Sequence, residues 1–197
     1  VMNDHKGFFA MMARMKYIER WALMRNSVSE NICEHSLEVA MLAHGLGIIG
    51  RKRFGKDLSP ERLAMLGMYH DCTEIITGDM PTPVKYANDE LKEAYKAIED
   101  SAAHRLLEML PQDLRAEYES YFLPEQITPE EYRYVKAADK LSALIKCIEE
   151  EKTGNQEFRS AKQATYESLQ QMNMPEVTVF CEVFLPEYYK TLDELEH

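Results

Sequence analysis

A histidine and an aspartate stand side by side at His70 and Asp71, and a third candidate, Glu74, follows three residues later. An imidazole nitrogen and a carboxylate oxygen on one short stretch of backbone can bind the same divalent cation. This mixture of ligands favours manganese, iron, cobalt, nickel or zinc over calcium or magnesium. If the stretch is helical, Glu74 lies one turn beyond His70 on nearly the same face. There it could act as an acid or base toward water bound to the cation.

Two further polar residues lie on otherwise apolar helix faces. His35 stands near the start of one predicted helix, and Asp139 lies at the edge of the apolar face of another. A carboxylate in such a place needs a partner, because burying an unpaired charge is costly. Each residue alone has an ordinary explanation: His35 as a polar residue at a helix start, Asp71 as an exposed acid, and Asp139 as half of an ion pair with a neighbouring lysine. The ordered set, spread over three helices, favours a shared metal site.

The elements that must position these residues are predicted to be helices, because apolar residues recur at steps of three and four through most of the chain. Ser59 and Pro60 are a typical helix start, and Thr128 opens a capping box. The predicted helices run from about 34 to 54, from 59 to a stop at 78–83, from 89 to 110 and from 128 to 153, with further segments near 8–19, 155–172 and 176–185. Without a convincing strand, repeat or linker, the sequence predicts one all-α domain over residues 1–197.

Composition limits the classes of partner. The chain has 197 residues, of which 45% are hydrophobic and 29% charged, as expected for a globular domain with a sizeable core. Charges break the longest apolar runs well short of about 18 residues, so no membrane-spanning helix is expected, and the N-terminus does not resemble a signal peptide. The formal charge of -11 argues against a nucleic-acid polymer as partner. It remains compatible with a small phosphorylated ligand held by local cations.

The four cysteines are scattered without C-x-x-C spacing, so neither a zinc ribbon nor a redox dithiol is expected. Such thiols favour a reduced, cytoplasmic setting. The sequence contains neither of the common glycine-rich phosphate-loop motifs. The final Leu195-Glu196-His197 is interpreted as the start of a vector-derived histidine tag, and no function is assigned to His197.

The order His35, His70-Asp71, Asp139 resembles the HD-domain superfamily of metal-dependent phosphohydrolases, whose ligands come in that order from packed helices. Over nearly the whole chain, from about residue 8 to 193, the sequence is similar to the bacterial 5′-deoxynucleotidase family. The segments that carry this similarity are Glu19-Arg-Trp-Ala-Leu-Met-Arg25, Glu34-His-Ser-Leu37, Tyr69-His-Asp-x-x-Glu74 and Thr77-Gly-Asp-Met-Pro-Thr-Pro-Val-Lys85. The resemblance implies an HD-domain helical bundle as the fold.

The resemblance also implies a role for each matching residue. One divalent cation per chain, Co²⁺, Mn²⁺ or a similar first-row metal, would be held by His35, His70, Asp71 and Asp139. Such a cation lowers the pKa of bound water and offsets charge on the phosphoryl group. Two of these ligands, Asp71 and Asp139, would also contact the substrate. Glu74 would handle the proton of the attacking water or of the leaving 5′-oxygen, and Arg20 would orient the phosphate through its guanidinium group.

The nucleoside would be enclosed by a tryptophan and a stiff loop. By resemblance Trp21, the only tryptophan, lines the sugar and base pocket, where its bulk near C2′ would disfavour a ribonucleotide. The loop residues implied to wrap the nucleoside are Asp79, Met80, Pro81 and Thr82. Asp79 would accept a hydrogen bond from the 3′-hydroxyl, and a stiff loop loses little entropy on binding. Without the resemblance, Trp21 is interpreted as a core or interface aromatic and Arg20 as a surface ion pair with Glu19 or Glu30.

The expected reaction is hydrolysis of deoxyribonucleoside 5′-monophosphates to deoxynucleosides and phosphate, with selectivity against ribonucleotides, by a homodimer that the resemblance implies. One alternative is an HD-type phosphohydrolase acting on a triphosphate, a guanosine tetraphosphate or a cyclic nucleotide. The single His-Asp pair and the scarcity of nearby basic residues count against it. The other alternative is a non-catalytic helical scaffold with a structural metal. A structural site closes its coordination shell with protein ligands, which would leave Glu74 and Arg20 without a role.

Overall fold

Helices form the secondary structure of the computed structural model, which describes residues 6–85 and 87–196 but not the side chain of Thr82. The α-helices are, in chain order, α1 (Phe8–Met12), α2 (Ile32–Phe54), α3 (Pro60–Tyr69), α4 (Glu74–Thr77), α5 (Thr82–Lys85), α6 (Asp89–Leu107), α7 (Gln112–Phe122), α8 (Pro129–Lys152), α9 (Arg159–Gln171), α10 (Pro175–Val183) and α11 (Leu192–Leu195). Short 3₁₀ helices cover Ala13–Tyr17, Pro124–Gln126 and Leu185–Tyr189. These described ranges contain no β-strand, only an isolated bridge between Glu19 and Asn31. The all-α prediction is confirmed, while His197 lies outside the described residues.

Helix α2 is the central helix and packs against α3, α8 and α10. Its start is set by a capping box, in which the Asn31 side chain accepts from the Cys33 and Glu34 backbone N–H groups while Glu34 reaches back to the Asn31 N–H. It ends at Gly55, whose φ of 64° gives the left-handed conformation common after helices. The predicted end near Phe54 is confirmed.

By length and composition α2 would also be long and apolar enough to cross a membrane, with a mean hydropathy of 1.2 over an 18-residue window. Glu34 and Glu38 nevertheless interrupt this helix, as expected, and residues 39–50 are its longest run without a charge. Of that window, 56% is buried inside the protein, because Val39, Ala43 and Leu46 face other helices. We interpret α2 as the core helix around which the others pack.

Helix α3 approaches the backbone of α2 closely at Gly67, where an added Cβ would lie 3.0 Å from both the Ala40 Cα and the Val39 carbonyl oxygen. The sequence predicted one helix continuing to Gly78, but α3 ends at Tyr69 and α4 begins at Glu74. In the intervening turn, backbone N–H groups bond to the carbonyl three residues earlier instead of four, as in the bond from Glu74 N–H to Asp71 O at 3.0 Å. The His70 ring donates to the Gly67 carbonyl at 2.7 Å, the group an uninterrupted helix would offer to the Asp71 N–H.

Helix α8 carries the last candidate ligand. Thr128 and Glu131 form the predicted capping box, Pro129 occupies the first helical position, and the helix continues to Lys152 before Gly154, whose φ is 85°. This prediction is confirmed. Elsewhere the predictions were less accurate: α6 ends three residues before 110, α7 was not predicted, and a short helix, α5, occupies part of the predicted 78–83 stop.

Two clusters of buried side chains form the interior. The larger cluster joins α2, α3, α8, α9 and α10 around residues such as Leu46 and Leu141. The smaller joins α1, α6 and α7 around residues such as Phe8 and Leu106. Ile32 belongs to the smaller cluster and Val39 to the larger. His35 therefore lies on α2 at the junction of the two clusters, one turn from each.

Candidate active site

Four predicted ligands meet at this junction, from α2, the turn after α3, and α8. Asp71 Oδ2 lies 3.4 Å from His35 Nε2 and 3.0 Å from His70 Nε2. On the other side, Asp139 Oδ1 lies 3.3 Å from His35 Nε2 and 3.9 Å from His70 Nε2. Side chains separated by up to 104 positions thus direct their donor atoms toward one point. Donor atoms of His35, His70 and Asp71 all lie within 4.8 Å of one another, close enough to share a metal ion.

The hydrogen bonds of the two imidazoles leave the inward nitrogens free for a cation. His70 Nδ1 must donate to the Gly67 carbonyl, because that oxygen can only accept. His35 Nδ1 lies 2.9 Å from Ser142 Oγ. Among the described residues neither Nε2 has a hydrogen-bond partner although both are buried, an arrangement that needs an explanation. Two such nitrogens facing two carboxylates fit a divalent first-row metal.

The ordinary explanations for these residues are only partly met. His35 is 1% exposed, so it is not a solvent-facing polar residue at the start of its helix. Asp139 does pair with Lys136, at 3.0 Å through Oδ2, but its Oδ1 faces the imidazoles. Burial raises the pKa of Asp139, yet Lys136 and then His35 outweigh it and hold the pKa well below the usual range. For Asp71, burial is likewise outweighed by His70 and His35. Both carboxylates thus stay ionised at neutral pH.

Behind His35 a hydrogen-bonded pair, Ser142 and Glu38, orients the ring, and neither residue was predicted to have this role. Ser142 donates its hydroxyl proton to Glu38 Oε2, so its oxygen is left to accept from His35 Nδ1–H. This places a proton on Nδ1 and directs Nε2 toward Asp71. Metal-binding histidines commonly have such an outer partner. Ser142 is fully buried on α8, three residues after Asp139, and a hydroxyl on that apolar face was the available signal.

Glu74 is a buried acid beside this cluster. Its side chain is 6% exposed, and its Oε2 has no hydrogen-bond partner among the described residues. Burial first, and then the negative charges of Asp71 and Asp79, raise the pKa of Glu74 to about 9. In the metal-free protein Glu74 therefore carries a proton at neutral pH, as a group that gives up a proton during a reaction must.

Arg20 lies at the same site, 12% exposed rather than on the surface. Its Nη1 is 3.4 Å from Asp71 Oδ2, and its Nε is 3.4 Å from Glu30 Oε2. Burial lowers the pKa of Arg20, but Glu30 and Asp71 outweigh it and the pKa is raised, so the charge is permanent. The sequence-based alternative of an ion pair with Glu30 is present, although it is an interior one.

Trp21 follows directly, half-buried, and its backbone φ of 58° lies in the left-handed region. Its indole Nε1–H donates to Glu30 Oε2 at 2.8 Å. The ring packs edge-on against Phe158 with centroids 5.3 Å apart. Trp21 is thus packed against the interior, as its composition-based interpretation held, while remaining next to the predicted phosphate ligand Arg20.

The predicted nucleoside loop lies close to the same segment. Asp79 is half-buried; burial first raises the pKa of Asp79, and the charge of Arg20 and the nearby Trp21 backbone N–H only partly offset it. Tyr95 on α6 donates to the Gly78 carbonyl at 3.3 Å and anchors the start of the loop. Met80 and Pro81 are partly exposed just before α5. The side chain of the remaining loop candidate, Thr82, lies outside the described residues.

Comparisons with known proteins bear on the fold and the family. The family model described as 5′-deoxynucleotidase YfbR-like matches residues 7–188. The 5′-deoxynucleotidase of Vibrio cholerae serotype O1 is 47% identical over 188 residues, which are 95% of this chain and 97% of that protein.

Two solved structures share the fold. An HD-domain phosphohydrolase from Listeria innocua superposes with a TM-score of 0.80 at 22% identity, covering 96% of this chain and 91% of that one. The HD phosphohydrolase of cyanophage S-2L, solved with dA and one catalytic Zn²⁺ ion, gives a TM-score of 0.64 at 22% identity, covering 92% and 96%. The predicted HD-domain helical bundle is confirmed by these likenesses.

Proposed function

Because this chain belongs to the YfbR-like 5′-deoxynucleotidase family, we propose that the cluster at the junction of its two cores is the catalytic centre. The enzyme is a phosphoric monoester hydrolase that converts deoxyribonucleoside 5′-monophosphates to deoxynucleosides and phosphate, and it selects against ribonucleotides. The observation that best supports the location is the pair of buried, unpartnered Nε2 atoms of His35 and His70 facing two ionised carboxylates.

One divalent cation per chain, Co²⁺, Mn²⁺ or a similar first-row metal, would be held by His35, His70, Asp71 and Asp139. When bound, it would lower the pKa of water and offset the charge of the phosphoryl group. The Ser142 and Gly67 contacts would assist by occupying the outer nitrogens of both rings, so that each Nε2 faces the proposed position of the cation. Zn²⁺ belongs to the same class of ligand preference, and the ligand set does not distinguish between these metals.

Glu74 would supply the proton that the reaction needs. Hydrolysis breaks the bond between phosphorus and the 5′-oxygen and forms one between phosphorus and a water oxygen, and the departing 5′-oxygen must gain a proton. A buried carboxylic acid with a raised pKa can donate it. Arg20 would orient the phosphate with the N–H groups of its guanidinium that face the site, since Glu30 already pairs with its Nε.

Selection of the sugar would come from the segment beside Arg20. Trp21 would stand against C2′, and Asp79, which Trp21 contacts through its backbone, would accept from the 3′-hydroxyl. Met80, Pro81 and Thr82 would complete the nucleoside pocket. Binding a 2′-deoxy sugar against an aromatic face places no polar partner at C2′, so an extra hydroxyl there would be buried without a hydrogen bond, which is unfavourable.

Phosphate release tests the proposal directly. Protein stripped with a chelator and resupplied with Co²⁺, Mn²⁺ or Zn²⁺ should hydrolyse dAMP and dTMP far faster than AMP. Glu131→Gln, which alters a partly buried carboxylate paired with Arg62 away from the site, should leave these rates unchanged and serves as the control. Equal rates on dAMP and AMP would contradict the sugar selectivity. Faster hydrolysis of dATP, guanosine tetraphosphate or a cyclic nucleotide would favour the alternative phosphohydrolase.

We also propose that the enzyme is a cytoplasmic homodimer that engages neither membranes nor nucleic-acid polymers. Several apolar side chains near the C-terminus are exposed, including Val183, Phe184 and Tyr189. Phe180 from the same stretch is only 7% exposed and belongs to the core instead. Light scattering coupled to size-exclusion chromatography should give twice the chain mass of 22.9 kDa. A monomeric mass at micromolar concentration would contradict the dimer.

A further inference from the structure

Glu30 contacts both Arg20 and Trp21, the residues that would bind the phosphate and the sugar of the substrate. We propose that Glu30 is a positioning residue whose single carboxylate holds Arg20 and Trp21 in their binding arrangement, so that phosphate orientation and sugar selection are set together. The inference rests on the proposed function, in which Arg20 binds phosphate and Trp21 faces the sugar. No role for Glu30 was expected from the sequence beyond that of a surface ion-pair partner.

The contacts of Glu30 are concentrated on one oxygen. Its Oε2 accepts from Trp21 Nε1–H at 2.8 Å and lies 3.4 Å from Arg20 Nε. Its backbone carbonyl accepts from the Arg20 N–H at 2.9 Å, next to the bridge between Glu19 and Asn31. Glu30 therefore binds Arg20 through both main chain and side chain. Because its side chain is only 13% exposed, little water competes for the indole hydrogen bond or for the ion pair with Arg20, and a charge-assisted hydrogen bond such as that of the indole is stronger when shielded in this way.

The backbone of Trp21 indicates why such a holder is needed. A bulky residue with a φ of 58° is in an unfavourable conformation that persists only when its surroundings enforce it. The Trp21 N–H lies close enough to Asp79 to lower its pKa, and the Trp21 carbonyl accepts from the Met24 N–H at 2.8 Å and from Asn26 Nδ2 at 3.3 Å. These contacts hold the backbone but leave the ring free to turn. Among the described residues Glu30 is the hydrogen-bond partner of the indole N–H, while the ring also packs edge-on against Phe158 and has the Arg20 guanidinium carbon 5.9 Å from its centroid.

The position of Glu30 argues against a purely structural role. It belongs to neither buried apolar cluster, and its Oε1 lies 3.7 Å from His35 Nδ1, so the side chain is at the edge of the candidate metal site. A carboxylate there adds negative charge next to two ionised aspartates, which is unfavourable by itself. Its contacts with the guanidinium and indole account for its presence.

Two substitutions separate the two contacts. Glu30→Gln keeps an oxygen that can accept from the indole N–H but removes the charge that pairs with Arg20. Glu30→Ala removes both. Glu131→Gln is the matched control, because Glu131 is a carboxylate of similar exposure, 18%, that also pairs with an arginine. Since Trp21 is the only tryptophan, its emission spectrum and its quenching by acrylamide report on this ring alone, in metal-free protein and without turnover.

We expect Glu30→Ala to show red-shifted emission and stronger acrylamide quenching, and the ratio of kcat/KM for dAMP over AMP to fall by about tenfold. Glu30→Gln should keep emission and the dAMP:AMP ratio close to wild type while KM for dAMP rises by about tenfold. Circular dichroism and melting curves confirm that each variant is folded. Wild-type quenching and a wild-type dAMP:AMP ratio in Glu30→Ala would overturn the inference and leave Phe158 as the holder of the ring.

The proposed function and this inference fail in different ways. If wild-type protein with added metal releases no phosphate from dAMP, the proposed function is wrong, while the quenching comparison still decides whether Glu30 holds Trp21. If the wild type is active and all three variants resemble it in quenching, KM and dAMP:AMP ratio, the function stands and the role of Glu30 is refuted. A loss of kcat in Glu131→Gln equal to that in Glu30→Ala would likewise refute a specific role.

Discussion

Replacing Glu74 with glutamine should stabilise the metal-free protein while removing its activity. The pKa of this carboxyl group is raised from 4.5 to about 9, first by burial and then by Asp71 and Asp79. Between these two values the folded protein retains a proton that the unfolded chain has released. The stability contributed by Glu74 is therefore full below about pH 4.5 and is lost as the pH rises toward 9. A glutamine is neutral at every pH and does not incur this loss.

The size of this stability difference at pH 7.5 follows from the difference between that pH and the ordinary glutamate pKa of 4.5. Three pH units at about 1.4 kcal/mol each give an upper limit of about 4 kcal/mol. Because the site can relax and admit water around a 6% exposed group, we expect about 1–3 kcal/mol. For a chain of this size each kcal/mol shifts Tm by roughly 2–4 °C. Glu74→Gln should thus melt several degrees above wild type at pH 7.5, and the gap should widen toward pH 9.

The assay is thermal unfolding of chelator-treated protein from pH 5.5 to pH 9, followed by phosphate release after metal is restored. Turnover of dAMP should fall by about 10²–10⁴ in Glu74→Gln. Glu131→Gln should shift Tm in the opposite direction, because burial raises the pKa of Glu131 but Arg62 and the Thr128 cap outweigh it and lower the pKa. An unchanged or lowered Tm for Glu74→Gln at pH 7.5, with the wild-type pH dependence, would show that Glu74 is ionised in the folded protein.

Three further results are expected. Ser142→Ala should weaken metal binding by about 10–100-fold in calorimetric titrations because the His35 ring loses its outer partner; unchanged affinity would mean that packing alone orients the ring. Glu150→Ala should destabilise the fold by about 3–5 kcal/mol in urea titrations, since it leaves Lys146 buried without its carboxylate partner. The same substitution should raise KM, because Glu150 also accepts a hydrogen bond from the Ser27 N–H. A wild-type KM would show that the contact between Glu150 and Ser27 does not affect substrate binding. Saturating metal at about 100 times its Kd should stabilise the wild type by about 2.7 kcal/mol in melting experiments, and His35→Ala should abolish that gain.

Much of the helical scaffold could be predicted because its boundaries are encoded locally. A capping box marks the start of α2, and a capping box with proline at the first helical position marks the start of α8. Helix α7 was not predicted, although Leu114, Tyr118 and Tyr121 recur in it at steps of four and three; Phe122 is its single buried residue. The continuous helix predicted through His70 was wrong because a side chain, the imidazole, takes the Gly67 carbonyl. The spacing of apolar residues in a sequence does not reveal that a side chain will compete with the backbone for a carbonyl group.

The residues around the predicted site were harder to find, since their partners are distant in sequence. Ser142 meets His35 across 107 positions, and Glu150 meets Ser27 across 123. Without coordinates, a glutamate such as Glu30 in a polar stretch is indistinguishable from a solvated one. The metal-type ligands stood out because their residue types and order are unusual, whereas the groups that orient them are ordinary serines and glutamates whose role comes only from packing.

The charges at this site explain why substrate and cation should bind together. Two cationic side chains, Arg20 and Lys136, face four carboxylates: Glu30, Asp71, Asp79 and Asp139. A phosphate monoester brings nearly two further negative charges at neutral pH, so the metal-free site repels it overall despite the guanidinium. A divalent cation held by His35, His70, Asp71 and Asp139 would cancel the two excess negative charges of these groups, and by linkage the phosphate would then strengthen cation binding to the same extent. On the proposed function, the acidity that disfavours phosphate alone would thus favour binding of the cation and the phosphate as a pair.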